Sequence, residues 1–217
     1  MENGEVYFEN LKGITASFIG DSLFGGHRLG TEPTWIGLLA KKYGWECNNY
    51  GSNGCTLSAC EGGANPIVSR YGGMADNNPA LVVVEGGRND FNKSAQIGEI
   101  GGDITTYKGA LSAVIEGLRA KYPSAVIAAV TFWRVGPREN EIGLPTAAYT
   151  DAMKEVCLEM GVPCIDATDD SACGVYMTDP EFRREYCFVP GDVCHLNEEG
   201  FKIAMPFFER ELAKILG

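Results

Sequence analysis

Ser22 sits in Gly20-Asp21-Ser22-Leu23, directly after the apolar run Ile14-Thr15-Ala16-Ser17-Phe18-Ile19. A hydroxyl there becomes a nucleophile only if a base takes its proton and donors receive the charge that develops on the attacked carbonyl oxygen. The chain holds two histidines, His27 and His195, as candidate bases. His195 closes the segment Asp192-Val193-Cys194-His195, with the carboxylate three residues ahead of the imidazole. If that segment turns, Asp192 can hydrogen-bond Nδ1–H and leave Nε2 free to take the serine proton. Asn197 reads as the N-cap of a last helix, and a helix N-terminus disfavours imidazolium. Asp192 would then also stabilise the charged ring. His27, five residues after Ser22, reads as a polar loop residue.

Two further segments offer donors: Gly51-Ser52-Asn53-Gly54 and Gly86-Gly87-Arg88-Asn89-Asp90. A backbone N–H at Gly54 and the side-chain amide of Asn89 could bind an oxyanion, with the Ser22 N–H as a third donor. Glycine at position 54 would let backbone approach a substrate oxygen closely. Taken one at a time these segments are ordinary turns. Asp192 alone is a solvated loop carboxylate, and Asp21 is a helix cap or a loop-bracing acid. Their order, each at the end of an apolar run or just before the last helix, gives them weight as a set.

The elements that must bring them together follow from periodicity. Continuous apolar runs, the mark of strands buried on both faces, occur at 14–19, more weakly near Trp45–Tyr50, at Leu81–Val84, at Ala125–Phe132 and at Pro163–Asp166. Helix-period stripes alternate with them. One runs from Ile104 through Leu118, with Asp103 as N-cap and Pro123 as the stop. A second spans Tyr149–Met160 and closes on Gly161. A third spans Phe201–Ile215, where Pro206 predicts a kink or a late start. Alternating strands and helices imply a parallel sheet covered on both faces, and the order 2-1-3-4-5 is the natural one for these five runs. In that order strand 1 lies between strands 2 and 3. Ser22 is therefore expected between Gly54 and Asn89 at the carboxyl edge of the sheet, where ligands bind.

The chain has 217 residues and a net charge of −11, with 45% hydrophobic and 22% charged residues. These values exclude disorder and suit one domain over 1–217. The acidic balance argues against a nucleic-acid or anionic-membrane partner. No run reaches the roughly 18 apolar residues of a membrane span. The start, Met1-Glu2-Asn3-Gly4-Glu5, is acidic where an export signal would be basic and then apolar, which points to the cytoplasm, although a trimmed start would look the same. Cysteines at 47, 55, 60, 157, 164, 173, 187 and 194 form no Cys-x-x-Cys pair, so a structural zinc site is not expected. Most read as small buried hydrophobes.

Gly20-Asp21-Ser22-Leu23, Gly54, Gly87-x-Asn89-Asp90 and Asp192-x-x-His195 resemble the four blocks of the SGNH (GDSL) hydrolases, in the family's order and across residues 14 to about 205. Asn197 and Gly200 fit the family's His-x-Asn-x-x-Gly continuation. The resemblance implies a flavodoxin-like three-layer α/β/α fold and ester hydrolysis by Ser22, His195 and Asp192. It implies an oxyanion hole from the Ser22 N–H, the Gly54 N–H and the Asn89 amide, and no metal or organic cofactor. Gly51 also fits the second block loosely; Gly54 is preferred for its Asn-Gly-Cys-Thr setting. The Gly-x-Ser-x-Gly elbow of the other serine-hydrolase architecture is missing.

Substrate is less legible. Trp133, Arg134, Arg138, Tyr176, Phe182, Tyr186 and Phe188 fall in loops after strands 4 and 5. Their aromatics could stack on a sugar, Trp133 first among them, or pack beneath a long loop. Arg88 could recognise an acidic substrate group or pair with Asp90 or Glu85. With no long apolar lid segment, a short-acyl ester, in the family often an O-acetyl saccharide, is the leading expectation. Lysophospholipid or thioester hydrolysis is the competing one, and a catalytically silent binding module the alternative of another class. Oligomeric state is not written in the sequence.

Overall fold

The computed structural model describes residues 7–217, so the N-terminal stretch Met1–Glu5 lies outside the described residues. Five parallel strands form one sheet in the order β2-β1-β3-β4-β5: β1 (Thr15–Ile19), β2 (Glu46–Asn49), β3 (Leu81–Glu85), β4 (Val126–Val130) and β5 (Cys164–Ile165). Every residue of β3 is buried, as a central strand covered on both faces requires. β2 is an edge strand of sequence Glu-Cys-Asn-Asn with no fully buried residue, which explains its faint apolar signal. The register sets Ile19 beside Val84 and Glu85 beside Val130, so the strands end level and their following loops open on one edge.

The helices are α1 (Ser22–Gly25), α2 (Trp35–Tyr43), α3 (Ile67–Arg70), α4 (Arg88–Asn92), α5 (Tyr107–Lys121), α6 (Thr146–Met160), α7 (Asp170–Cys173), α8 (Pro180–Tyr186) and α9 (Glu198–Ile215). α2 packs on α9, with Trp35 stacked on Phe208 at 4.1 Å and Phe18 of β1 set edge-on against Trp35 at 5.7 Å. α5 packs on α6, where Tyr107 meets Tyr149 at 5.3 Å. These two aromatic clusters anchor the helical layers, and each fully buried ring contributes roughly 1.5–3 kcal/mol by its burial.

Three expected boundaries are revised. α5 begins at Tyr107 rather than Ile104. Asp103 caps a turn by accepting the Thr105 N–H at 2.8 Å. The Tyr107 and Lys108 N–H groups, however, go to the Gln96 and Ile97 carbonyls, each at 2.8 Å, so the turn does not run on as helix. α6 begins at Thr146, one turn earlier than its apolar stripe, and closes as expected on Gly161 at φ +61°. α9 begins at Glu198 and runs unbroken through Pro206, so the late start does not occur. Asn197 caps it by accepting the Gly200 N–H at 2.9 Å. Lys202, whose carbonyl loses its amide partner to Pro206, is exposed and open to water. All eight cysteines are free thiols; 55, 157, 173 and 187 are buried and the others half-buried.

Candidate active site

Ser22 opens α1 immediately after the turn that follows β1. Asp21 caps that helix, accepting the Leu23 N–H at 2.8 Å, and is itself fully buried. The Ser22 Oγ lies 2.9 Å from His195 Nε2. His195 Nδ1 lies 2.9 Å from Asp192 Oδ2. Asp192 Oδ1 accepts the N–H groups of Cys194 at 2.8 Å and His195 at 3.0 Å. One carboxylate therefore folds the turn and holds the ring at the end of it, which fixes Nδ1 as the protonated nitrogen. Partial burial works to raise the Asp192 carboxyl, but the bonds from His195 and Cys194 outweigh it and hold it below its ordinary value.

The loop carrying His195 is braced from two sides. Phe188 N–H donates to the His195 carbonyl at 2.9 Å, and the Trp133 indole N–H donates to the Cys194 carbonyl at 2.8 Å. Trp133 is only 2% exposed, so it is a buried strut under the loop rather than an open platform for a sugar ring. Tyr176, Phe182 and Tyr186 pack on one another, at 5.9 and 5.0 Å along that series. Phe188 instead faces His27, edge-on at 5.2 Å.

His27, read from sequence as a plain loop residue, lies face to face with His195, ring centroids 4.0 Å apart and planes inclined 18°. Its N–H donates to the Ser22 carbonyl at 3.0 Å, and its carbonyl accepts the Asn53 amide at 2.8 Å. Burial, then the neighbouring His195 and Arg28, push its pKa down, against a smaller opposing pull from Asp192.

The loop after β2 is tied into the same edge. Ser52 N–H donates to the Gly20 carbonyl at 3.0 Å, and the Cys55 thiol donates to it at 3.3 Å. Between them, Gly54 is exposed, with φ +75° and open space where a Cβ would stand. The left-handed backbone favours glycine there, and the space a Cβ would fill is open. Gly51 is different: a Cβ would lie 2.3 Å from the Gly25 nitrogen, and its N–H is held by Asn49 Oδ1 at 2.9 Å. Among the described residues the N–H groups of Ser22 and Gly54 have no intramolecular acceptor, which leaves them open to a ligand.

Asn89 lies in α4, entered through Gly87 at φ +117°, where a Cβ would collide with the Tyr107 hydroxyl at 2.7 Å. Its amide nitrogen donates to Asp21 Oδ2 and to the Cys55 carbonyl, both at 2.9 Å. Asp90 is buried and accepts the N–H groups of Leu57 at 2.8 Å and Ser58 at 2.9 Å, fastening the loop after β2 to α4. Beneath them Glu85, the last residue of β3, accepts the Asp21 N–H at 3.0 Å. Burial, then the charge of Asp21, raise Glu85 well above the ordinary carboxylate range, and its Oε1 is buried without a partner. Sequence reasoning named Glu85 only as a partner for Arg88, although an acid closing a run buried on both faces was a visible signal. Arg88 pairs with neither Asp90 nor Glu85. Its guanidinium lies 5.8 Å from the Phe91 ring and its Nη1 is buried without a partner, while burial pushes the Cys194 thiol up to about 12.

The larger openings lie beside this cluster rather than on it. A cavity of about 730 Å³ is lined by Trp133, Arg134, Arg138, Thr146, Thr150 and Lys154 among others, and it shares the Trp133 wall with the His195 loop. Ser22 is buried, at 7% exposure, and the His195 side chain is 21% exposed, so the pair meets solvent chiefly through the imidazole.

A doubly wound parallel sheet with a serine–imidazole–carboxylate chain at its carboxyl edge defines the architecture of a serine hydrolase. The profile of the GDSL-like lipase/acylhydrolase family matches residues 18–203. The chain belongs to that family and is an ester hydrolase. No curated protein matches it in sequence. A solved structure 27% identical covers 94% of this chain and 98% of its own length with a TM-score of 0.85. A protein from Lactobacillus plantarum, 22% identical, covers 97% of this chain and 99% of its own with a TM-score of 0.81. A family two carbohydrate esterase from Clostridium thermocellum, solved in complex with cellohexaose, is 19% identical, with 95% of this chain and 66% of that one covered and a TM-score of 0.61. Among the described residues no helix is long and apolar enough to cross a membrane.

Proposed function

We propose that the chain, as one domain, hydrolyses short-acyl esters by a two-step acyl transfer on Ser22, and that an O-acetylated saccharide is its substrate class. The observation that carries this reading is the unbroken chain of 2.9 Å contacts from Ser22 Oγ through His195 to Asp192. Ser22 attacks the ester carbonyl while Nε2 of His195 removes its proton. The same nitrogen then protonates the leaving alcohol, and water repeats the sequence to free the acid. Asp192 stabilises the imidazolium formed in each step.

Ser22 N–H, Gly54 N–H and the Asn89 amide receive the oxyanion. In the resting site the Asn89 amide is held by a carboxylate and a neutral carbonyl. An oxyanion competes well for the proton on the Cys55 carbonyl, because a charged acceptor makes a bond roughly twice as strong as a neutral one. The proton facing Asp21 stays in place and keeps the amide oriented.

The narrow access to Ser22, only 7% exposed, favours a small acyl group. The carbohydrate esterase of the same fold supports a saccharide alcohol, with the cavity beside Trp133 as room for it. Arg88, adjoining Asn89, is buried at 6% exposure with Nη1 unpartnered, and its charge is the one an acidic substituent near Asn89 would meet. The test compares p-nitrophenyl acetate and octanoate, acetylated xylan and an acyl thioester, with the Ser22→Ala variant as control. Acetyl turnover at least tenfold above octanoyl, with release of acetate from the polysaccharide, is expected. Preference for octanoate or the thioester would overturn the substrate class, and undiminished activity in Ser22→Ala would overturn the mechanism.

A further inference from the structure

We infer that His27 is a positioning residue for the reaction: stacked on the His195 imidazole, it sets the plane of the base and, once protonated, opposes the charge that the base must take up. The inference rests on the role proposed above for His195. The hydrogen bond from the Ser22 hydroxyl to Nε2 and the one from Nδ1–H to Asp192 hold the His195 ring at its two edges, and such bonds resist in-plane displacement far more than tilt. A ring 4.0 Å away and within 18° of parallel supplies the missing restraint on the face.

The platform is itself built. His27 has φ +52°, a backbone conformation that non-glycine residues rarely hold. Its N–H bonds the carbonyl of Ser22 itself, and Phe188 closes on it edge-on at 5.2 Å, with the Arg28 guanidinium 5.9 Å over the Phe188 ring. Loop 22–30 thereby clamps the loop that carries Asp192 and His195. The charges facing His27 are His195 and Asp192 from that loop and Arg28 from its own segment, while Phe188 and Asn53 bring none. His195 becomes imidazolium in each step of acyl transfer. A neutral ring stacked on it favours that charge; a second imidazolium at 4.0 Å repels it. Burial holds His27 toward the neutral form that the reaction needs.

Since His27 and His195 are the chain's only imidazoles, their Hε1 protons give two resonances in the proton NMR spectrum. Titrated in the wild type, each resonance should show a second inflection where the other ring takes its proton. In His27→Phe the remaining resonance should follow a single-proton curve at a shifted midpoint. His195 curves that superimpose in the two proteins would overturn the coupling.

Kinetics separate positioning from bulk structure. His27→Asn keeps a side chain that tolerates the left-handed backbone but removes the ring; His27→Phe keeps a ring at the cost of strain. Loss of an aromatic contact corresponds to about threefold to tenfold in rate. His27→Asn should therefore lose about that much kcat on p-nitrophenyl acetate with KM within twofold, and His27→Phe should recover it. An Asn variant as fast as wild type, or a Phe variant slower than Asn, would overturn the inference. The NMR titration needs no turnover. A wild type without esterase activity would sink the proposed reaction and leave the coupling standing, whereas an active enzyme with uncoupled histidines would sink this inference alone.

Discussion

The amide nitrogen of Asn89 lies 2.9 Å from Oδ2 of Asp21, joining the residue next to the nucleophile to a residue 68 positions along the chain. Under the proposed mechanism this amide receives the oxyanion, and its worth in the reaction is that of one preorganised donor. Asn89→Ala should cost about 10²–10³ in kcat. The lost hydrogen bonds should cost only about 1 kcal/mol apiece in stability. Steady-state kinetics beside a denaturant melt tests this: a large stability loss with activity falling only in proportion would make Asn89 structural.

Asp192→Asn keeps an oxygen for the Cys194 and His195 N–H groups but places an NH₂ or a neutral oxygen against Nδ1. Turnover should fall by a factor on the order of 10²–10⁴ through the wrong tautomer and the lost charge. The carboxyl of Asp192 titrates below its ordinary 3.8 in the fold. Its stabilisation is therefore present above that value and is lost as the pH falls through the folded one. Melting temperatures from pH 7 to pH 3 should show the wild type losing this advantage over Asp192→Asn on acidification. Parallel curves would contradict it.

The opposite sign applies to Glu85. Its folded value is raised well above the ordinary 4.5, so the stability that it contributes is full below 4.5 and declines as the pH rises through the folded value. Glu85→Gln keeps the acceptor for the Asp21 N–H but cannot ionise. Its melting temperature should gain on the wild type steadily as pH rises, the two differing least in acid. A gap independent of pH would show that Glu85 does not hold a proton in the fold.

Trp133→Phe removes the N–H that holds the Cys194 carbonyl and leaves most of the ring volume. A strut beneath the His195 loop predicts a lower kcat on p-nitrophenyl acetate with KM unchanged, and roughly 0.5–1.5 kcal/mol less stability. A sugar platform predicts the reverse, a raised KM on saccharide esters with kcat intact. Measuring both substrates on one variant decides between them.

The sheet was legible because β1, β3 and β4 are nearly uniform apolar runs, and burial on both faces leaves that mark directly. Its order followed, and the order placed Ser22 between the loops of Gly54 and Asn89. The turn from Asp192 to His195 was legible because the bonds that make it are local, three residues apart at most. What sequence reading missed depends on distant contacts. Trp133 reads as a loop aromatic until the Cys194 carbonyl is seen above its indole. Asp103 has the right type for a cap, yet the helix it was assigned starts later because the Tyr107 and Lys108 N–H groups bond the Gln96 and Ile97 carbonyls. His27 carries no sign of its partner, since the stack joins loops far apart in the chain. Glu85 and Arg88 are charged residues beside one another's loops, and spacing alone suggests an ion pair. Instead the acid bonds to Asp21, and the guanidinium turns to Phe91 and Cys194.

The central claim is that Ser22 is the nucleophile and that His195 makes it one. A p-nitrophenyl alkylphosphonate incubated with the wild type, followed by intact-mass measurement and peptide mapping, tests it most directly. One adduct per chain, on the peptide and then the residue Ser22, is predicted, with labelling slowed by orders of magnitude in His195→Ala and abolished in Ser22→Ala. An adduct on any other residue, or an enzyme that hydrolyses p-nitrophenyl acetate while Ser22 stays unmodified and unneeded, would contradict it.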